Sequence, residues 1–156
     1  MRLLIGLGNP GEKYKHNRHN VGHLLAESLL KRSLPRGFVV KKSQGFMNDS
    51  GVFVNKLVEQ NKTKPSDLWV IHDDLDIPLG SFKIQKGKGP KLHNGVNSIE
   101  RELATDDFWR VRIGVENRSG GPKIPGEEYV LQDFTQEERD ILDKVINQIC
   151  KKLLTS

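Results

Sequence analysis

Residues 2–11, Arg2-Leu3-Leu4-Ile5-Gly6-Leu7-Gly8-Asn9-Pro10-Gly11, open apolar and end in glycines and a proline. The run from Arg2 to Leu7 is too short for a stable helix and is bounded by glycine, so it reads as a buried strand. The glycines match G-x-G-x-x-G, the pattern by which a strand passes a dinucleotide's pyrophosphate to a helix N-terminus. Two features oppose that use. Pro10-Gly11-Glu12-Lys13-Tyr14 is turn-like, and helical periodicity begins only near Val21, so no helix opens at the third glycine. The second strand, Phe38-Val39-Val40, is followed by Lys41 and Lys42 rather than by an acid for a ribose hydroxyl. The segment is therefore a strand with a glycine-rich turn, and a dinucleotide site is the weaker alternative.

Working outward, Val21, Leu24, Leu25, Ser28 and Leu29 recur at helical spacing and predict a helix over 18–32. Further helices are expected over 50–60 and 96–103, and strands over 68–72, 81–85 and 108–115. A glycine- and lysine-rich loop covers 87–90. Thr135 and Glu138 have capping-box spacing, and Ile141, Leu142, Val145, Ile146, Ile149, Leu153 and Leu154 form an apolar stripe behind them. Strands alternating with helices in 156 residues predict one α/β domain of three layers spanning 1–156.

Composition narrows the classes. Hydrophobic residues are 35% and charged residues 29%, a balance that favours a globular chain over a disordered one. No apolar run approaches the roughly 20 residues of a membrane span. Met1-Arg2 leads straight into the first strand without the layout of a signal peptide. Cys150 is the only cysteine and sits in the last apolar stripe, which excludes a disulfide framework and points to the cytoplasm. The net charge is +5, with −3 over residues 127–156 and +8 before them. Lys31–Lys42 and Lys83–Asn94 contain bases and no acids, patches that attract a polyanion. A solvated surface on a basic protein is the plainer reading of both.

Chemistry is suggested at two places. Asn17-Arg18-His19-Asn20 lies at the predicted start of the first helix, where the helix dipole disfavours an imidazolium and leaves His19 neutral to accept a proton. His72-Asp73-Asp74-Leu75-Asp76 follows an apolar strand at its carboxyl end, where α/β sites form. A carboxylate there suits the role of holding the base's other ring nitrogen; a solvated acidic turn is the alternative. For a metal site, His16, His19, His23 and the acids of 72–76 are the candidate ligands, but His-Glu-x-x-His is absent because positions 20 and 21 are Asn and Val. No G-x-S-x-G context exists for a serine nucleophile. Asn9, Asn48 and Asn94 all fall in turn-like settings, where an amide both donates to and accepts from a peptide bond.

In order along the chain, Gly6–Gly11, Tyr14, Arg18-His19-Asn20-Val21-Gly22, Phe46-Met47-Asn48 with Ser50-Gly51, His72-Asp73 to Gly80, His93-Asn94-Gly95 and Arg110-Val111-Arg112-Ile113-Gly114 closely resemble the bacterial-type peptidyl-tRNA hydrolase family. The resemblance covers most of the chain to about Val115 and weakens from Tyr129 onward. It implies a central mixed, twisted sheet flanked by helices, a monomer, no metal or organic cofactor, and hydrolysis of the ester joining a peptide to the tRNA 3′-terminal ribose. By the same resemblance His19 is the general base, Asp73 orients it and Asn94 helps hold the water. Asn9, Asn48, Met47 and Tyr14 line or contact the peptide and the tRNA 3′ end. Arg112, with Lys83 and Lys86, faces the acceptor stem and 5′ phosphate. A non-catalytic RNA-binding module on the same fold is the alternative function.

The chain also departs from the family. The segment at about 33–45 is short, which predicts a missing edge strand or hairpin, and the C-terminus is short as well. Gly45 stands where threonine is usual, and the loop before His93 reads Gly87-Lys88-Gly89-Pro90-Lys91-Leu92. Gln85 occupies the position of the clamp lysine, with Lys83, Lys86 and Lys88 as neighbouring substitutes.

Overall fold

The computed structural model describes residues 1–87, 89–119 and 123–155. Lys88, one of the expected substitutes for the clamp lysine, lies outside them. Five strands form one sheet: β1 (Arg2–Gly6), β2 (Phe38–Lys42), β3 (Leu68–Pro78), β4 (Phe82–Lys86) and β5 (Trp109–Glu116). Their order is β2-β1-β3-β5-β4; only β4 runs antiparallel to its neighbour, so the sheet is mixed, as the resemblance implied. Among the described residues, five α-helices accompany it: α1 (Val21–Leu30), α2 (Ser50–Gln60), α3 (Asn94–Leu103), the single turn α4 (Gly126–Tyr129) and α5 (Gln136–Thr155).

Alternation along the inner strands sorts the apolar residues into two cores. Leu4, Trp69, Ile71, Val111, Ile113 and Val115 pack under α1 and α5. Leu3, Ile5, Leu7, Leu68 and Val70 pack under α2 and α3, with Val54, Val96 and Ile99. The result is three layers, α/β/α. Cys150 is buried in the first core, as its place in the apolar stripe suggested. The capping box also forms: the Thr135 N–H donates to Glu138 Oε1 at 2.8 Å and the Glu138 N–H to Thr135 Oγ1 at 3.1 Å. No helix among the described residues is long and apolar enough to cross a membrane.

Two glycines fix where α1 begins. A Cβ on Gly6 would collide with the Gly22 carbonyl oxygen, and one on Gly22 would collide with that of Ile71. The first turn of α1 is thereby pressed against the carboxyl end of β1 and the middle of β3. The residues just before it, His19 included, hang over the edge of the sheet.

Boundaries near the cleft differ from the sequence expectation. The helix expected from 18 is a 3-10 turn, Arg18–Asn20, followed by α1. β3 runs six residues past His72, because Asp73 and Asp74 continue the parallel register opposite Ile113 and Gly114. α3 starts at Asn94 rather than Val96, because the His93 ring caps it, its Nδ1 accepting the Val96 N–H at 3.2 Å.

Candidate active site

The carboxyl ends of β1 and β3, the turn before α1, the start of α3 and the segment around α4 enclose a cleft of about 740 Å³. His19, Asp73, Asn94, Asn9, Asn48 and Met47 all line it. Six sequence-predicted site residues, drawn from five separate segments, thus meet in one cavity.

At its centre, Nδ1 of His19 lies 2.9 and 2.8 Å from the two carboxylate oxygens of Asp73. Nδ1 therefore carries the proton and donates it, which leaves Nε2 with its lone pair free. The His19 side chain is 13% exposed, while that of Asp73 is 3% exposed. Burial acts to lower the His19 pKa, but the Asp73 charge and hydrogen bond outweigh it and raise it above the ordinary 6.5. The helix-dipole expectation of a depressed His19 is thus corrected: a carboxylate in direct contact acts more strongly than the end of a helix. Burial likewise acts to raise the Asp73 carboxyl, yet the His19 and His93 rings hold it well below the usual carboxylate range.

Asp73 has a second partner that sequence reasoning missed. His93 Nε2 lies 2.8 Å from Asp73 Oδ1, with only 4% of the His93 side chain exposed. Because Nδ1 of His93 accepts the Val96 N–H, its Nε2 must be the protonated nitrogen that donates to Asp73. The available signal was its position directly before a helix, a cap site, but a ring nitrogen is an uncommon cap. His19, Asp73 and His93 are also close enough to hold a metal ion, their ligand atoms lying within 4.8 Å of one another. A cation there would displace the protons that His19 Nδ1 and His93 Nε2 donate to Asp73. This donor set suits a hydrogen-bonded chain better than a ligand cage. His23, the other metal candidate on α1, bonds to Ser43 instead, and His16 lies beside Arg139.

Backbone contacts hold His19 in place. The His19 N–H donates to the Val130 carbonyl at 2.8 Å and the Arg18 N–H to that of Gln132 at 3.1 Å. Arg18, buried, ion-pairs with Glu138 at 2.6 Å and lies 3.9 Å above the Tyr129 ring. Asn9 is fixed on every side but one. Its N–H donates to Asn20 Oδ1, its carbonyl accepts from Asn20 Nδ2, and its Oδ1 accepts the Met47 N–H, at 2.8, 2.9 and 2.8 Å. The Asn9 Nδ2 remains as a donor for the cleft. Asn48 and Asn94 are exposed at its wall.

Four predicted substrate contacts lie outside this cavity. Tyr14 packs edge-on against Phe46, a lining residue, at 6.3 Å between centroids. Lys83 is exposed on β4, and Lys86, also exposed, lies 3.6 Å from Asp107. Arg112 is 8% exposed; its Nε donates to the buried Asp74 at 2.7 Å and its Nη1 to Gln85 Oε1 at 2.6 Å. The arginine expected to meet a phosphate is thus engaged within the protein, and one of its partners is Gln85, the residue expected at the clamp lysine's position.

Among the described residues, no serine, threonine or cysteine lines the cleft. A histidine–carboxylate pair in an amide-lined cavity at the carboxyl side of an α/β sheet is an arrangement suited to a hydrolase. The family model for peptidyl-tRNA hydrolase matches residues 3–156. The peptidyl-tRNA hydrolase of Persephonella marina is 37% identical over 171 residues, covering 99% of this chain and 89% of its own. That of a Sulfurihydrogenibium species is 39% identical, covering 94% and 85% respectively. The crystal structure of peptidyl-tRNA hydrolase from Acinetobacter baumannii superposes with a TM-score of 0.84 at 26% identity, over 99% of this chain and 88% of that one. The chain belongs to the peptidyl-tRNA hydrolase family. It is accordingly a hydrolase of the peptidyl-tRNA ester bond rather than a non-catalytic RNA-binding module.

Proposed function

We propose that His19 is the general base of this hydrolysis and Asp73 its orienting carboxylate. The observation that carries the reading is the contact of His19 Nδ1 with both Asp73 oxygens, which leaves Nε2 as the lone-pair nitrogen of a ring that lines the cleft. Nε2 takes a proton from water as the water oxygen bonds to the ester carbonyl carbon. The bond to the ribose oxygen then breaks, and the imidazolium returns its proton to that leaving hydroxyl. Asp73 stabilises the imidazolium, and His93 keeps the carboxylate in register. Asn94 holds the water, its amide orienting without competing for the proton. Asn9 and Asn48 bond the peptide and the tRNA 3′ end, Met47 lines the floor, and Tyr14 supports Phe46 at the rim.

Lys83 and Lys86 on β4 draw in the acceptor stem and 5′ phosphate, with Arg112 behind them; cations at this edge add affinity without sequence preference. An ester leaves more readily than an amide, so this set suffices without a metal or organic cofactor. The reading takes the protein as a monomer, and the tRNA substrate suits a cytoplasmic protein.

An N-blocked aminoacyl-tRNA provides the test. The wild type releases free tRNA, and His19→Ala slows release by roughly 10²–10⁴-fold, the usual contribution of a general base. Undiminished turnover by that variant would remove His19 from the mechanism.

A further inference from the structure

His23, which the proposed chemistry leaves unused, sits one turn beyond His19 with its Nε2 3.0 Å from Ser43 Oγ. A histidine beside a serine suggests a nucleophile and its base, but the hydroxyl is fully committed elsewhere. Ser43 Oγ accepts the Gly8 N–H at 3.1 Å and lies 3.3 Å from the Gly8 carbonyl oxygen, to which it donates. With the proton on His23 Nε2, the hydroxyl accepts twice and donates once, which is its full capacity. Ser43 is 5% exposed and is absent from the cleft lining.

This network grips a single residue's backbone. Both polar groups of Gly8 are bonded to one side chain, and the His23 ring seats directly on the Gly8 backbone, where a Cβ would lie 2.7 Å from its Cγ. The Ser43 N–H also donates to the Gly6 carbonyl at 2.8 Å, which ties Ser43 to the end of β1. The next residue after Gly8 is Asn9.

We propose that Ser43 and His23 are positioning residues for the reaction: they clamp the Gly8 backbone and thereby aim the Asn9 amide into the cleft. The inference rests on the reading that Asn9 contacts substrate. Asn20 and Met47 fix the far side of Asn9, and the clamp on Gly8 fixes the near side. A donor aimed at a reacting substrate must be held to within about 0.5 Å, so loosening one side is enough to cost rate. Burial, then the Lys42 charge, push the His23 pKa down to about 4, so the ring stays neutral under assay conditions. Lys42 is itself paired with Glu27 at 3.0 Å beside it.

The test is a double-mutant cycle in kcat/KM on an N-blocked aminoacyl-tRNA, with Asn9→Ala, Ser43→Ala and the double variant. Each single change is expected to lower kcat/KM by about tenfold, the scale of one hydrogen bond removed at a buried site. The double variant should fall no further than Asn9→Ala alone, because Ser43 acts only through Asn9. Multiplicative losses would overturn the inference while leaving Asn9 as a substrate contact. A wild-type kcat/KM for Asn9→Ala would remove Asn9 from the proposed site and this inference with it. A second pair of variants guards against a fold defect in Ser43→Ala. His23→Gln keeps an N–H at the reach of Nε2 and should stay within a few-fold of wild type, whereas His23→Leu should match Ser43→Ala. Equal activity of these two His23 variants would overturn the role of His23.

Discussion

The cleft and the β4–β5 edge both gather charged side chains, but they use them in opposite ways. In the cleft, Asp73 commits its two oxygens to His19 and His93, and that pairing leaves Nε2 as the lone-pair nitrogen of a ring that lines the cavity. At the edge, pairing removes groups from use. Arg112 is taken by Asp74 and Gln85, and Arg110 Nη2 by Glu100 at 2.9 Å, whereas Lys83 and Lys86 stay exposed. An ion pair leaves a group available where one partner keeps an uncommitted ring nitrogen, as His19 does, and withholds it where both partners are buried, as with Arg112 and Asp74. A charged residue at a family position therefore says little until its partners are known.

Substitutions should separate the two regions. The largest effect is expected in the cleft: Asp73→Asn should cost roughly 100-fold or more in kcat/KM with little change in KM, because it removes the charge that holds His19 in its tautomer and supports its protonated form. A change confined to KM would recast Asp73 as a binding group. At the edge, Arg112→Ala should act first on stability, losing about 3–5 kcal/mol in denaturant unfolding, since it strands the buried Asp74 carboxylate. An unaltered unfolding midpoint with weakened tRNA binding would make Arg112 a substrate contact instead. The smallest effect belongs to Lys83→Ala with Lys86→Ala. Affinity for tRNA should fall modestly, and the slope of log K against log salt should flatten by about one for every phosphate these lysines neutralise. An unchanged slope would exclude this edge from the tRNA path.

Much of this arrangement was legible in the sequence, for reasons that differ along the chain. β1 and the first part of β3 are short apolar runs between turn residues, and α5 carries both its cap and its stripe, so local signals sufficed. His19, Asp73 and the three asparagines were singled out because each falls at a turn or at an element's end. The extension of β3 was not legible, because Asp73-Asp74-Leu75-Asp76 has the composition of a solvated turn. Asp73 and Asp74 are buried only because His19, His93 and Arg112 reach them from 20 to 54 residues away. His93 was overlooked for the same reason; Arg112 took its phosphate-facing role from the family resemblance, and nothing local announces that Asp74 and Gln85 hold it. Long-range polar pairing leaves no periodic trace, whereas apolar packing does.

The central claim is that a His19 made more basic by Asp73 takes the proton from water. Its most direct test follows the His19 ring resonances by NMR across pH beside kcat/KM over the same range. Because Asp73 raises the His19 pKa and the base must be neutral to act, activity should rise with pH through a midpoint above 6.5. The ring should titrate at that same midpoint, and both should move down in Asp73→Asn. Activity that stays flat while His19 titrates would contradict the account.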